Sequence, residues 1–76
     1  MSKLQELRKA QGISQSQLVK LTNITLTLLQ SYEQGKRNID GAGLDKLIPL
    51  ALALNCKISD LLENEDLKKQ ALELGI

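Results

Sequence analysis

Apolar residues recur at three- and four-residue steps along most of the chain, the spacing that places them on one face of an α-helix. Near the start, Leu4, Leu7 and Ala10 follow this spacing. The longest series lies in the second half and comprises Leu44, Leu47, Ile48, Ala51 and Leu54. No segment shows the enrichment in β-branched residues that is typical of a strand. The pattern therefore predicts an all-α protein.

Residues that favour helix ends divide the first half of the chain into short helices. Ser2 is predicted to cap a first helix, which ends at Gly12. Ser14 and Gln17 have the spacing of a capping box and open a second helix, which runs to about Leu21.

A tight turn separates the second predicted helix from the third. Asn23 tolerates positive φ and marks the turn, and Thr25 is predicted to cap a helix that runs to about Gln34 and stops at Gly35. A short helix, a turn and another short helix, here from Gln15 to Gln34, make up a helix-turn-helix unit.

The second half contains a long predicted helix and two shorter ones. Asp40 is predicted to cap the fourth helix, which ends at Asn55. A fifth helix starts at Ser59 or its neighbours, and residues 65–74 form a last helical segment with Gly75 beyond its end.

Pro49 lies inside the fourth predicted helix, where it removes one backbone hydrogen bond. Either the helix is kinked there or it consists of two pieces that meet near Ile48. We expect a kink, because the apolar stripe continues in phase across the proline.

Three segments of the chain carry a resemblance to a known family: residues 4–15 with Leu18, residues 32–37, and residues 50–56 with residues 60–62. Together they resemble the Xre/Cro-type family of phage-repressor-like DNA-binding domains, over about residues 4–63. The resemblance implies a compact five-helix bundle of the lambda-repressor-like type at residues 1–63, with the helix-turn-helix unit at 15–34. Residues 64–76 would be a short C-terminal helical tail.

The resemblance also implies which residues contact DNA. The helix that begins at Thr25 would be the recognition helix, lying in the major groove. Gln15 would bind a phosphate or brace a recognition residue. The full set of expected DNA-binding residues is Gln15, Leu26, Thr27, Gln30, Ser31, Lys36, Arg37 and Asn38.

The chemistry of these positions suits base reading without a cationic side chain. Gln30 can bind adenine through two hydrogen bonds, Thr27 and Ser31 can reach either type of base edge, and Leu26 can contact a thymine methyl. The recognition helix has no Arg or Lys, and Leu26 and Leu28 are apolar where the family commonly has long polar side chains. We therefore expect specificity to depend on thymine methyls and on DNA shape.

Composition and charge narrow the function further. The chain has 76 residues, no His and one Cys, which argue against a Cys/His zinc site, His-based catalysis and an intrachain disulfide. The lone cysteine and the lack of a membrane-spanning run predict a cytoplasmic protein. Residues 1–37 carry a net charge of +4 and residues 38–76 a net charge of −3. We expect no metal, no cofactor and no small-molecule effector.

Two further predictions concern side chains away from DNA. Arg8 and Glu33 are predicted to form a structural ion pair between the first and third helices. The surplus of Leu on the fourth helix and the tail predicts a homodimer interface, which includes Leu50, Leu52, Leu67, Leu72 and Leu74. In the alternative, the tail folds back on its own monomer.

These observations predict a sequence-specific transcriptional regulator, a repressor of phage or mobile-element type that binds a palindromic operator as a dimer. The alternative is an antitoxin-like or adaptor module that binds a protein through exposed Leu26 and Leu28. An enzyme is not expected, because no catalytic constellation can be found in the sequence.

Overall fold

The structure, a computed structural model, describes residues 2–76, and these contain six α-helices, one 3₁₀ turn and no strand. The helices of this all-α fold are α1 (Lys3–Ala10), α2 (Gln15–Thr22), α3 (Leu26–Glu33), α4 (Leu44–Leu54), α5 (Ile58–Leu61) and α6 (Glu65–Glu73). The 3₁₀ turn spans Ile39–Gly41, between α3 and α4. None of the helices within residues 2–76 is long and apolar enough to cross a membrane.

The predicted ends of the first two helices are confirmed. The Ser2 hydroxyl accepts a hydrogen bond from the Gln5 amide at 3.0 Å, and Gly12 follows α1 with a φ of 69°. Ser14 and Gln17 form both bonds of the capping box, at 3.1 and 2.8 Å. These side chains satisfy amide groups that a helix start would otherwise leave unpaired.

The turn between α2 and α3 is built as the sequence predicts. Asn23 has a φ of 59°, in the left-handed region that Asn tolerates. Ile24 is buried, which anchors the turn to the core, and the Thr22 hydroxyl donates to the carbonyl of Leu18 at 2.7 Å. The Thr25 hydroxyl accepts from the Leu28 amide at 3.2 Å and caps α3.

A core rich in leucine holds the helices together. Every helix from α1 to α5 contributes at least one buried apolar side chain, and α2 packs against both α3 and α4. The apolar side chains with at most 1% exposure are Leu4, Leu18, Leu29, Leu50, Leu54 and Leu61. Because α2 and α3 both contribute to this core, their relative position depends on the rest of the fold.

The start of α4 differs from the prediction. Asp40 does not cap this helix; it lies in the 3₁₀ turn, and its carboxylate accepts from the Glu63 amide at 2.7 Å. The helix begins at Leu44 after Gly43, which makes no side-chain cap. The helix starts later in the chain than predicted because the 3₁₀ turn comes first. The buried side chain of Ile39 holds this turn against the core.

α4 continues through Pro49 as one helix of 11 residues, so it does not consist of two pieces. Its buried face carries Leu47, Leu50, Ala51 and Leu54, whereas Leu44 and Ile48 of the predicted stripe are exposed. The kink remains a prediction. Asn55 ends the helix with a φ of 52°, as predicted.

The tail packs on its own chain. α6 lies against α5, Ala71 is buried, and the main-chain oxygen of Ile76 accepts a hydrogen bond from the Ser59 amide at 2.9 Å. Leu50 is fully buried, so its assignment to a dimer interface is wrong: it faces the core and no second chain can reach it. Leu52, Leu67, Leu72 and Leu74 are exposed.

Candidate nucleic-acid interface

α3 divides its side chains between the core and the surface. Leu29 and Tyr32, three residues apart, are buried, so they hold the helix in place. Thr27 is exposed, and 43% of Leu26 is accessible at the first turn. Leu28 departs from the expectation of an exposed leucine, because it is half-buried and packs against the core cluster.

An ion pair joins the buried end of α3 to α1. Arg8 Nε donates to Glu33 Oε2 at 2.7 Å, and Arg8 Nη2 donates to Glu33 Oε1 at 3.0 Å. A third donor, Arg8 Nη1, reaches the carbonyl of Ile13 at 3.0 Å. The hydrogen bond to Glu33 raises the pKa of Arg8 above its ordinary value, although burial opposes this shift. Both side chains are engaged inside the protein, which matches the structural role predicted for the pair.

Gln15 links this ion pair to the exposed part of α3. Its Nε2 donates to Glu33 Oε1 at 3.1 Å, and its Oε1 accepts from Gln30 Nε2 at 3.4 Å. Four side chains from three helices therefore form one connected set. Of the two roles expected for Gln15, the structure displays bracing.

The contact with Gln15 leaves Gln30 with groups that suit a base edge. An amide side chain has two N–H donors and an oxygen acceptor, and Gln15 takes one of the donors. The second N–H and the carbonyl oxygen of Gln30 match N7 and the N6 amino group of adenine. Gln30 is half-buried, so its orientation is restricted by the surrounding helices.

The loop after α3 carries the cations nearest to this helix in sequence. Lys36, Arg37 and Asn38 are exposed, and the amides of Lys36 and Arg37 donate to the carbonyl of Ser31 at 2.9 and 3.2 Å. The loop main chain is thereby tied to α3. Asn38 Oδ1 accepts from the Asp40 amide at 3.0 Å, which restricts the end of the loop.

A surface groove lies beside α4, and the sequence prediction identified only part of it. Its apolar lining includes Ile48, Leu52, Cys56, Ile58 and Ile76. The four-residue spacing of Ile48 and Leu52 was the available signal, since such residues are neighbours on a helix. Ile76 lines the same groove because the tail returns to α5.

Cys56 lines this groove as a half-buried thiol. Burial, together with the nearby charge of Asp60, raises the pKa of the thiol above its ordinary value. The side chain therefore behaves as a small apolar group at neutral pH. Residues 2–76 contain no group of three or more His, Cys, Asp or Glu residues that could hold a metal ion.

Comparison with protein families identifies the family of this chain. The family model for the Cro/C1-type HTH (helix-turn-helix) DNA-binding domain matches residues 3–66, which include α1 to α5. No curated protein and no solved structure matches the chain.

Proposed function

Since the chain belongs to the Cro/C1-type helix-turn-helix DNA-binding domain family and is a DNA-binding transcription regulator, we propose that it is a repressor of phage or mobile-element type. It occupies a palindromic operator as a homodimer, with α3 in the major groove of each half-site. Repression by occupancy needs no catalysis, cofactor or small-molecule effector. In this proposal, regulation comes from the concentration of the protein, from partner binding or from degradation, and the protein acts on DNA in the cytoplasm.

The arrangement around α3 is the observation that carries this proposal. Polar and apolar side chains without charge occupy its accessible positions, while its acidic residue, Glu33, is buried against Arg8. Lys36 and Arg37 are exposed directly after the helix. The uncharged side chains suit contacts with base edges, and the two neighbouring cations suit contacts with the flanking phosphates.

Each predicted contact has a distinct role in this proposal. Thr27, Gln30 and Ser31 read base edges together with Leu26, and Gln15 holds Gln30 in position. Lys36, Arg37 and Asn38 contact the phosphate backbone and set the register of α3 in the groove.

The proposed dimer uses the apolar surface beside α4. Leu52 is 77% exposed and borders the groove that also includes Ile48 and Ile76. Leu67, Leu72 and Leu74 on α6 and after it are exposed as well, and the tail therefore extends the interface in this proposal. A second copy that covers these side chains would remove them from water.

Selection from random DNA duplexes tests the proposal. We expect an enriched palindrome whose half-sites lie about 10 base pairs apart, because a twofold dimer presents two copies of α3 on one face of the DNA. The affinity for this duplex should fall steeply as salt rises, since phosphate contacts release counterions. Failure to enrich any salt-sensitive duplex would contradict the proposal.

Removal of the two loop cations tests the backbone contacts. Lys36→Ala with Arg37→Ala should weaken binding to all sequences alike, and the slope of log affinity against log salt should flatten by about one for each lost contact. Lys68→Ala with Lys69→Ala on α6 removes the same charge and is the matched control. Equal slopes for the two double variants would show that the loop does not contact DNA.

Thr27 tests base reading. Thr27→Ala removes a hydroxyl and a methyl from an exposed position, so the variant protein should retain its fold. We expect a changed preference at one symmetric position of the operator, measured by repeating the selection. A uniform loss of affinity over all sequences would show that Thr27 does not read a base.

The exposed Leu26 also favours a second function, an antitoxin-like or adaptor module that binds a protein. Such a contact would be driven by apolar burial and would change little with salt. The salt titration therefore separates the two functions. Half-burial of Leu28 reduces the apolar surface that this alternative can use.

A further inference from the structure

Leu26 is an apolar side chain that remains partly accessible at the surface. It is 43% exposed at the first position of α3, whereas Leu29 on the same helix has no exposure and Leu28 packs against the core. The cap of α3 is the hydroxyl of Thr25 and does not involve the Leu26 side chain. The accessible part of this side chain can contact DNA if α3 lies in the major groove.

The position of Leu26 relative to Gln30 suggests its partner. The two residues are four apart on α3 and therefore lie next to each other on one face of the helix. Gln30 offers an N–H and a carbonyl oxygen that match adenine. If Gln30 faces a base edge, Leu26 faces the edge of a neighbouring base.

Only one kind of base edge offers an apolar partner in the major groove. Thymine presents a C5 methyl there, whereas guanine, adenine and unmodified cytosine present polar groups at the positions a side chain reads. 5-Methylcytosine carries the same methyl at the same ring position. A leucine next to these bases distinguishes those with a 5-methyl group from those without one, because the methyl offers apolar surface that the leucine can bury.

We propose that Leu26 reads a pyrimidine 5-methyl group in each half-site. Methylation of cytosine at C5 therefore raises the affinity for the operator, as the methyl group of thymine does. This inference rests on the proposed function, which places α3 in the major groove. It adds a chemical mark on DNA as a second input to the regulator, besides the base sequence. Each methyl buried against Leu26 strengthens binding about fourfold.

Uracil substitution provides the sharpest test, because uracil differs from thymine only by the missing methyl. In the selected operator, each symmetric pair of thymines is replaced by uracil in turn. We expect one pair whose replacement weakens binding of the unaltered protein about fourfold per half-site, with no such loss elsewhere. At that pair, cytosine and 5-methylcytosine should differ by the same factor.

The variant Leu26→Ala assigns this effect to the side chain. It should bind the thymine and uracil duplexes equally, and its midpoint of unfolding in urea should stay near that of the unaltered protein. Leu21→Ala is the matched control, because Leu21 is a 62% exposed leucine on α2, and it should keep the thymine preference.

The possible failures are distinct. Specific, salt-sensitive binding without a loss at any uracil pair overturns only the role of Leu26. A thymine preference that persists in Leu26→Ala overturns it as well. If no duplex is bound, the proposed function fails, and the inference fails with it.

Discussion

Glu33 connects three helices through its carboxylate. It accepts from Arg8 on α1 at 2.7 and 3.0 Å and from Gln15 on α2 at 3.1 Å, while its side chain is only 1% exposed. A buried pair of this kind adds little net stability over apolar residues, but loss of one partner leaves the other charge buried without compensation. The pair therefore restricts how α1, α2 and α3 can be arranged.

The ion pair yields a prediction about stability. Glu33→Leu should lower the free energy of unfolding by about 3–5 kcal/mol, because Arg8 loses its partner. The double variant Glu33→Leu with Arg8→Met should lose less free energy of unfolding than Glu33→Leu alone, since neither charge of the pair remains buried. Urea unfolding measures both values. Glu73→Leu, an exposed glutamate at the end of α6, is the control and should change the free energy of unfolding by no more than about 0.5 kcal/mol. A double variant that is less stable than Glu33→Leu would contradict the argument.

Cys56 gives a prediction about pH. Its folded-state pKa is raised, mainly by burial, so the folded state favours the neutral thiol. The stabilising contribution is complete below the pKa of an unfolded thiol, about 8.5, and is lost as the pH rises through the folded-state value. The free energy of unfolding of the unaltered protein, minus that of Cys56→Ser, should fall from pH 8 to pH 10. A difference that rises over this range would contradict the direction of the shift.

At the scale of elements, α4 combines an apolar sequence with two features that disfavour a helix. It starts at Gly43 without a side-chain cap and contains Pro49, which cannot donate to the carbonyl of Asp45. Its apolar stripe compensates, because Leu47, Leu50 and Leu54 are buried against the rest of the core. Tertiary packing thus maintains a helix that local propensity alone would interrupt.

Substitution of the proline measures this conflict. Pro49→Ala restores the missing donor and should raise the free energy of unfolding by about 2 kcal/mol, after allowance for the greater freedom of the unfolded chain. Ala53→Gly in the same helix should lower the free energy of unfolding by about 0.5–1 kcal/mol, which is the effect expected of a glycine inside a helix. Thermal and urea unfolding report both changes. A lower stability of Pro49→Ala would show that the surrounding helices require the proline geometry.

At the scale of the molecule, charge and apolar surface are unevenly distributed along the chain. The half with the helix-turn-helix unit carries a net charge of +4, and the half with α4 to α6 carries −3. The later half also has the most exposed leucine, Leu52 at 77%. In the proposed assembly, the first half meets DNA and the second half meets another copy.

The proposed dimer is tested by a charge at its centre. Leu52→Glu should raise the dimer dissociation constant at least about 100-fold, because the twofold interface loses two buried leucines. Sedimentation at several concentrations gives this constant, and operator binding should weaken in parallel. Leu21→Glu, on α2, should leave the dimer unchanged. An unaltered protein that is monomeric at all concentrations would contradict the interface.

Local sequence signals predicted much of the fold and part of the site. The caps at Ser2, Ser14 and Thr25 were correct because each bond involves residues three positions apart. Asp40 was misassigned, since its carboxylate accepts from Glu63, 23 residues away. No local pattern specifies such a bond.

The candidate interface shows the same division. The exposure of Lys36 and Arg37 after α3 follows from a polar loop, and the burial of Leu29 and Tyr32 follows from helical spacing. Sequence reasoning offered two roles for Gln15, and packing of α2 against α3 brings its oxygen to Gln30. Leu50 was misplaced because α4 is apolar on several faces, and periodicity then cannot indicate which face is covered.

The helical class, the ends of most helices and the position of the helix-turn-helix unit follow from the amino-acid sequence, because these depend on spacings of a few residues. Packing of the helices places Leu50 in the core, returns the tail to Ser59 and lets Gln15 join Glu33 to Gln30. These facts depend on contacts between residues distant in the chain, whose free energy exists only once the helices pack together.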